Sequence, residues 1–169
     1  RIILKELAAF LSPHTILTDV GSTKTAIMEE ADTLGLSARF CGGHPMAGAE
    51  VSGYRASDSL LLENAYYLLT PGKNFSSEDT EKMKTFLSSI GSIPFVMSPE
   101  EHDRSVACVS HLPHLIAASL VKLLKEEDRN GSMKKLAAGG FKDISRIASS
   151  SPIMWQQICL SNKKPILEM

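Results

Sequence analysis

Apolar positions change period along the chain, and the changes mark out alternating helices and strands that give way to helix alone. Residues 2–11, IILKELAAFL, put Ile3, Leu7 and Phe10 on one helical stripe with Leu4, Ala8 and Leu11 beside it, and Pro13 ends the pattern. TILTDV at 15–20 reads as a strand. A second helix follows, capped by Ser22 or Thr23, with Ile27, Met28, Ala31 and Leu34 facing inward and Gly35 where a left-handed C-terminal residue is favoured. ARFCGG at 38–43 returns to strand. After a polar connection with a short helix over 56–62, AYYLLT at 65–70 is a third strand. Residues 77–90 then form a helix with Met83, Phe86, Leu87 and Ile90 on one face, and SIPFVM at 92–97 is a strand whose Pro94 suits a sheet edge.

At Ser98 the character changes. SPEE supplies an N-cap serine, a proline at the first helical position and a glutamate three residues on. From there the pattern is helical: Leu112, Leu115, Ile116, Leu120, Leu123 and Leu124 form a broad stripe on a helix over 111–127, and SPIMW at 151–155 opens another. The expected fold class is α/β, a mostly parallel sheet covered by helices, followed after a boundary near residue 97 by an all-helical part.

Composition narrows the partners rather than the fold. With 43% apolar and 22% charged residues and a net charge of -1, the chain has the make-up of a globular protein and no electrostatic reason to seek nucleic acid or an anionic membrane. Uninterrupted apolar runs fall short of the roughly 18 residues of a membrane span, and no signal peptide opens the sequence. Cys41, Cys108 and Cys159 are odd in number and far apart, which excludes a disulfide framework and points to a reducing, cytoplasmic setting. The chain starts at Arg1 inside a helical pattern and stops at Met169 in another, so it reads as part of a longer protein.

Three stretches carry candidate chemistry. DVGSTK at 19–24 and GGHPMAG at 42–48 both end strands, the edge where open α/β sheets bind ligands, so Ser22 and His44 face one crevice or serve as an N-cap and a turn residue. GSTK lacks the order of a phosphate loop. In CVSHLPHL, Cys108, His111 and His114 have a spacing that also suits a metal, although either histidine alone fits a structural role. In GGFKDISRIASSSPIMW, Lys142 and Arg146 share a helix face, a pair suited to a dicarboxylate or else a solvated basic face.

Taken together, ILTDVGSTK, GGHPMAGAEVSGYRAS, LLENAYYLLTP, SPEEHDRSVACVSHLPH and GGFKDISRIASSSPIMW resemble, in order and spacing, the prephenate and arogenate dehydrogenases of tyrosine biosynthesis. The resemblance covers nearly the whole chain. It implies a partial Rossmann-like domain, 1–97 being the C-terminal part of the nucleotide-binding domain, and a helical substrate-binding and dimerisation domain over 98–169. It implies oxidative decarboxylation with NAD or NADP as hydride acceptor, a small-molecule substrate, a homodimer and no metal. His44 would take the proton of the substrate hydroxyl, a task suited to an imidazole whose ordinary pKa is about 6.5. Ser22 would lie beside it as the second catalytic residue. His111, His114, Arg146, Trp155 and Lys142 would bind substrate, with Arg146 on a carboxylate, and Gly21, Ser22 and Pro45 would face the cofactor. The family's Gly-x-Gly-x-x-Gly loop is not in this chain and is expected upstream of Arg1. Three other readings stay open: an arogenate dehydrogenase, a non-catalytic dimerisation module, and a metal hydrolase built on Cys108, His111 and His114.

Overall fold

A computed structural model of the chain describes residues 2–12, 14–48, 53–54 and 57–169, and these divide into two compact units, one up to Asp103 and one from Arg104 to Met169. The first unit holds a four-stranded sheet in the order β1 (Leu17–Thr18), β2 (Phe40–Pro45), β3 (Tyr66–Pro71), β4 (Ile93–Val96). β1 and β2 are parallel, as are β3 and β4, whereas β2 and β3 are antiparallel, with His44 opposite Leu68. The sheet is therefore mixed, for a reason that lies in the connections. Helix α2 (Thr25–Thr33) links β1 to β2 and α3 (Ser77–Ser89) links β3 to β4, and a helical crossover allows parallel pairing. Between β2 and β3 the described residues contain no crossover helix: the helix expected over 56–62 is a run of loop and turn from residue 57, and Ala56 lies outside the described residues.

Alternation along the strands feeds two cores. Phe40 packs with Leu4, Met28, Ala31 and Leu36 under α1 (Ile2–Ala8) and α2, while its neighbour Cys41 joins Tyr67, Leu69, Met83 and Leu87 under α3. Helix period alone does not say which of two adjacent rows is buried. In α1 the buried row is Leu4 with Ala8 and Leu11 against it, and Ile3, Leu7 and Phe10 are exposed. Pro13, expected to stop this helix, lies outside the described residues; the helix ends at Ala8. α2 ends as expected, with Gly35 at φ +70°. Pro94 stands on β4, at one end of the strand order.

Helix α4 (Pro99–Val106) starts at Ser98, whose Oγ accepts the Glu101 N–H at 3.1 Å. It runs through a π-helical turn (Ala107–His111) into α5 (Leu112–Glu127), a continuous 29-residue helix rather than one starting at 111. Leu112 N–H reaches back five residues to Ala107 O, and this wider turn takes the chain into Pro113, which has no N–H to continue an ordinary ladder. The helix is long and apolar enough to cross a membrane by length and composition alone, a test that core helices also pass and that counting uninterrupted apolar runs had not met. Within the second unit its buried residues are Val106, Ala107, His111, His114 and Ala117; of the expected leucine-rich stripe, Ile116 and Leu123 are more than half exposed. Helices α6 (Ser132–Leu136), α7 (Gly139–Arg146), α8 (Pro152–Ser161) and α9 (Lys163–Leu167) complete this unit.

Candidate active site

β1 ends at Thr18, opposite Cys41 of β2, and the residue after it ties the two strands together. The Asp19 carboxylate accepts the N–H of Gly43 at 3.0 Å on one oxygen, and on the other the N–H of Gly21 at 2.9 Å and the Lys24 ammonium at 2.5 Å. Lys24 is fully buried, and its Nζ also donates to Gly43 O at 2.7 Å. Burial pushes the Lys24 amine below its ordinary value, against the pull of Asp19 and, more weakly, Asp103. GSTK therefore does not present its lysine as a phosphate loop does: the amine is spent on the chain's own strand ends. Glycine is required beside it, since a Cβ on Gly43 would stand 2.5 Å from Asp19 O and 3.0 Å from the Tyr67 ring.

His44 lies on a strand rather than in a turn, because β2 extends two residues beyond the expected ARFCGG. Half-buried, it places Nδ1 2.8 Å from Nε2 of His102, and Nδ1 of His102 is 2.8 Å from Oδ1 of Asp103. His102 and Asp103 are buried near the start of α4. The same carboxylate accepts the backbone N–H of Lys24 at 2.7 Å and of Thr25 at 2.9 Å. It thereby caps α2, whose cap position is Lys24 and not the expected Ser22 or Thr23. Burial raises the Asp103 carboxyl, but hydrogen bonds from His102, Thr25 and Lys24 outweigh it and hold the group below the ordinary 3.8.

The other residues named from the sequence fall into place unit by unit. Gly21 is exposed and Ser22 half-buried on the β1–α2 loop, and Pro45 is half-buried at the end of β2. In the second unit His111 and His114 are buried; the ring of His114 stacks on Trp155 of α8 at 3.6 Å and 5°, and His111 meets the same indole edge-on at 5.9 Å. Asn162 donates its amide to His111 Nδ1 at 2.9 Å. Burial lowers the His114 pKa, with the Ile147 carbonyl opposing it. Among the described residues Trp155 Nε1 is buried without a hydrogen-bond partner. Lys142 and Arg146 are exposed one turn apart on α7.

Cys108 is exposed while both nearby histidines are buried, and among the described residues no three His, Cys, Asp or Glu side chains are grouped to hold a metal. A cavity of about 290 Å³ in the first unit, bordered by Met28, Asp32, Phe40, Pro71 and Lys73, includes none of the catalytic, substrate-binding or cofactor-binding candidates named from the sequence. Sequence reasoning missed Asp19, Lys24, His102, Asp103 and Asn162. The adjacent His and Asp of EEHDR, directly behind a capping serine, were the one local signal for the third and fourth.

The chain matches the family model described as "Prephenate dehydrogenase, nucleotide-binding domain" over residues 1–114 and that described as "Prephenate dehydrogenase, dimerization domain" over 98–169. It is 46% identical over 170 residues to the prephenate dehydrogenase of Bacillus subtilis (strain 168), covering 99% of this chain and 46% of that protein. With the prephenate dehydrogenase of Lactococcus lactis subsp. cremoris (strain MG1363) the identity is 39%, over 98% of this chain and 46% of that one. Among solved structures, prephenate dehydrogenase from A. aeolicus in complex with hydroxyphenyl propionate and NAD+ superposes with a TM-score of 0.90 at 39% identity, over 99% of this chain and 58% of that one. Synechocystis arogenate dehydrogenase gives 0.83 at 34%, over 99% and 60%. The chain thus spans about half the length of the relatives it matches.

Proposed function

Because this chain belongs to the prephenate dehydrogenase family, we propose that it forms the catalytic part of an enzyme that converts prephenate to 4-hydroxyphenylpyruvate by oxidative decarboxylation. The observation that carries this reading is His44, an imidazole held at the end of β2 by a buried histidine and carboxylate. His44 accepts the proton of the ring hydroxyl as the carbon bearing it gives up its hydride, the ring loses its carboxyl group as carbon dioxide, and the ring oxygen takes the proton back once aromatisation has drawn the reaction forward. Ser22, on the loop that Asp19 ties to β2, orders the hydroxyl or a water. His111, His114 and Trp155 line the substrate, while Arg146, with Lys142 on the same face of α7, grips a carboxylate.

The cofactor edge fits a dinucleotide. Gly21 is exposed and Ser22 and Pro45 are half-buried at two neighbouring strand ends, where open α/β sheets receive such ligands. NAD, or NADP, supplies the hydride acceptor when bound; the relative solved with NAD+ favours the former. Residues 1–97 serve nucleotide binding and 98–169 substrate binding and dimerisation. The large apolar side chains left exposed in the second unit, among them Val109, Ile116, Leu136, Ile153 and Leu160, support a homodimer, working in the cytoplasm without membrane or nucleic acid. Arogenate is the second substrate to consider, on the likeness to the Synechocystis enzyme.

The test is reduced-nicotinamide absorbance with the full-length protein, each substrate and each cofactor. Turnover of prephenate with NAD is expected; no signal in any of the four combinations overturns the proposal. His44→Asn should lower kcat by about 10²–10⁴-fold with KM changed only a few-fold, and turnover within a few-fold of wild type would remove His44 from its role.

A further inference from the structure

His44 does not stand alone. Its Nδ1 meets Nε2 of His102 at 2.8 Å, and Nδ1 of His102 meets Oδ1 of Asp103 at 2.8 Å, so three side chains from β2 and α4 form one line of hydrogen bonds. The donors in that line follow from one end. Asp103 is an ionised carboxylate held by two backbone N–H groups at the start of α2, and a carboxylate only accepts. Nδ1 of His102 must therefore carry a hydrogen. In a neutral His102 ring, Nε2 is then the acceptor, and the hydrogen between the two histidines belongs to Nδ1 of His44. The lone pair of a neutral His44 then sits on Nε2, the nitrogen turned from the relay.

We infer that His102 and Asp103 are positioning residues that fix the tautomer and ring orientation of His44, so that Nε2 is its basic nitrogen. The inference rests on the proposed role of His44 as proton acceptor and extends it. When Nε2 takes a proton, His44 becomes an imidazolium whose Nδ1–H stays directed at His102, with the Asp103 charge one ring away to stabilise it. No proton needs to move along the line for this. The arrangement serves the purpose of the carboxylate in a Ser-His-Asp triad, with an imidazole inserted between carboxylate and base. The anchorage is rigid at its far end: Oδ1 receives both His102 and the Lys24 N–H, and Oδ2 receives the Thr25 N–H, so the carboxylate cannot rotate without uncapping α2.

The experiment uses full-length protein labelled with ¹⁵N-histidine, the His44 signals being assigned by their loss in His44→Asn. Wild type should show His44 as the Nδ1–H tautomer at neutral to mildly alkaline pH. His102→Leu removes the acceptor, and should shift His44 toward the Nε2–H form and lower kcat by about 10²-fold with KM within about threefold. His102→Gln places an amide oxygen where Nε2 stood; it should keep the wild-type tautomer and recover about tenfold of the lost kcat. If His102→Leu fails to fold, the tautomer in wild type and in His102→Gln still decides. His44 found as Nε2–H in folded wild type, or a His102→Leu enzyme turning over within threefold of wild type, overturns the inference. Absence of turnover in wild type with every substrate counts against the proposed function instead, and leaves the tautomer measurement to stand by itself.

Discussion

Replacing Lys24 with methionine tests the buried network at its centre. Methionine keeps the length of the alkyl chain, so little cavity is created, and the loss is confined to an ammonium with two acceptors, Asp19 at 2.5 Å and Gly43 O at 2.7 Å. Hydrogen bonds to charged groups contribute about 1.5–3 kcal/mol each, and removing one partner of a buried ion pair costs about 3–5 kcal/mol because the other is stranded. Asp19 is only partly stranded. It keeps the N–H groups of Gly21 and Gly43 and its side chain is 25% exposed, so water replaces part of what the lysine supplied. Relief from desolvating the ammonium, which already depresses its pKa, works in the same direction. The expected net cost is about 2–3 kcal/mol. It is measured by urea unfolding of the full-length protein, with amide exchange of peptides over residues 15–45 to place the loss at the ends of β1 and β2. A cycle with Asp19→Asn should yield a coupling of about 1–2 kcal/mol. A Lys24→Met protein as stable as wild type to within about 0.5 kcal/mol, or additive behaviour in the cycle, would falsify the view that this pair joins the two strand ends.

Other outcomes follow from the same structure. Gly43→Ala should cost at least about 1–3 kcal/mol, since its Cβ meets the backbone oxygen of Asp19 rather than a side chain that can swing away, and thermal unfolding reads it. Asp103 has a folded pKa below its unfolded value, so its contribution is fully present above the ordinary 3.8 and is lost as pH falls through the depressed value; Asp103→Asn should flatten that part of the acid-unfolding curve. His114 also has a depressed folded pKa, but as a base its sign is reversed: the folded state resists protonation, so stability falls as pH drops below 6.5. A titration of Trp155 fluorescence, reporting the stacked imidazole, should have its midpoint below 6.5. The Cys41 thiol, pushed up to about 12 chiefly by burial and then by Asp19, should resist thiol reagents at pH 8 until the protein unfolds, and prompt labelling in native protein would contradict its assigned surroundings.

What was legible in the sequence divides by the distance over which each feature is determined. Gly35 in the left-handed region and Ser98 as the cap of α4 depend on four or five consecutive residues, and both were readable. The number of strands was readable because their apolar runs are separate. Their direction was readable in the main, two of the three pairings being parallel as expected, but β2 and β3 are antiparallel through a connection whose composition says nothing about its path. Burial within helices was harder still, as α1 and α5 show, because a wide apolar arc offers two rows and only the neighbouring elements choose between them.

The candidate site lies at the far end of that scale. Ser22 attracted notice as a local cap, yet the cap of α2 comes from Asp103, 79 residues beyond the Lys24 N–H it accepts. His44 was visible as a histidine in a distinctive segment, but its partner His102 is 58 residues away, in a stretch that reads as an ordinary acidic first turn. Glu100 and Glu101 occupy that first turn, where an acid favours the helix dipole. The structure gives Asp103 a different task, holding the start of α2 with one oxygen and sharing the other between α2 and the histidine behind His44. A substitution there acts on a helix cap and on the orientation of a base at once, so its loss of stability and its loss of turnover should move together. At His102, which holds the base but caps nothing, they should separate.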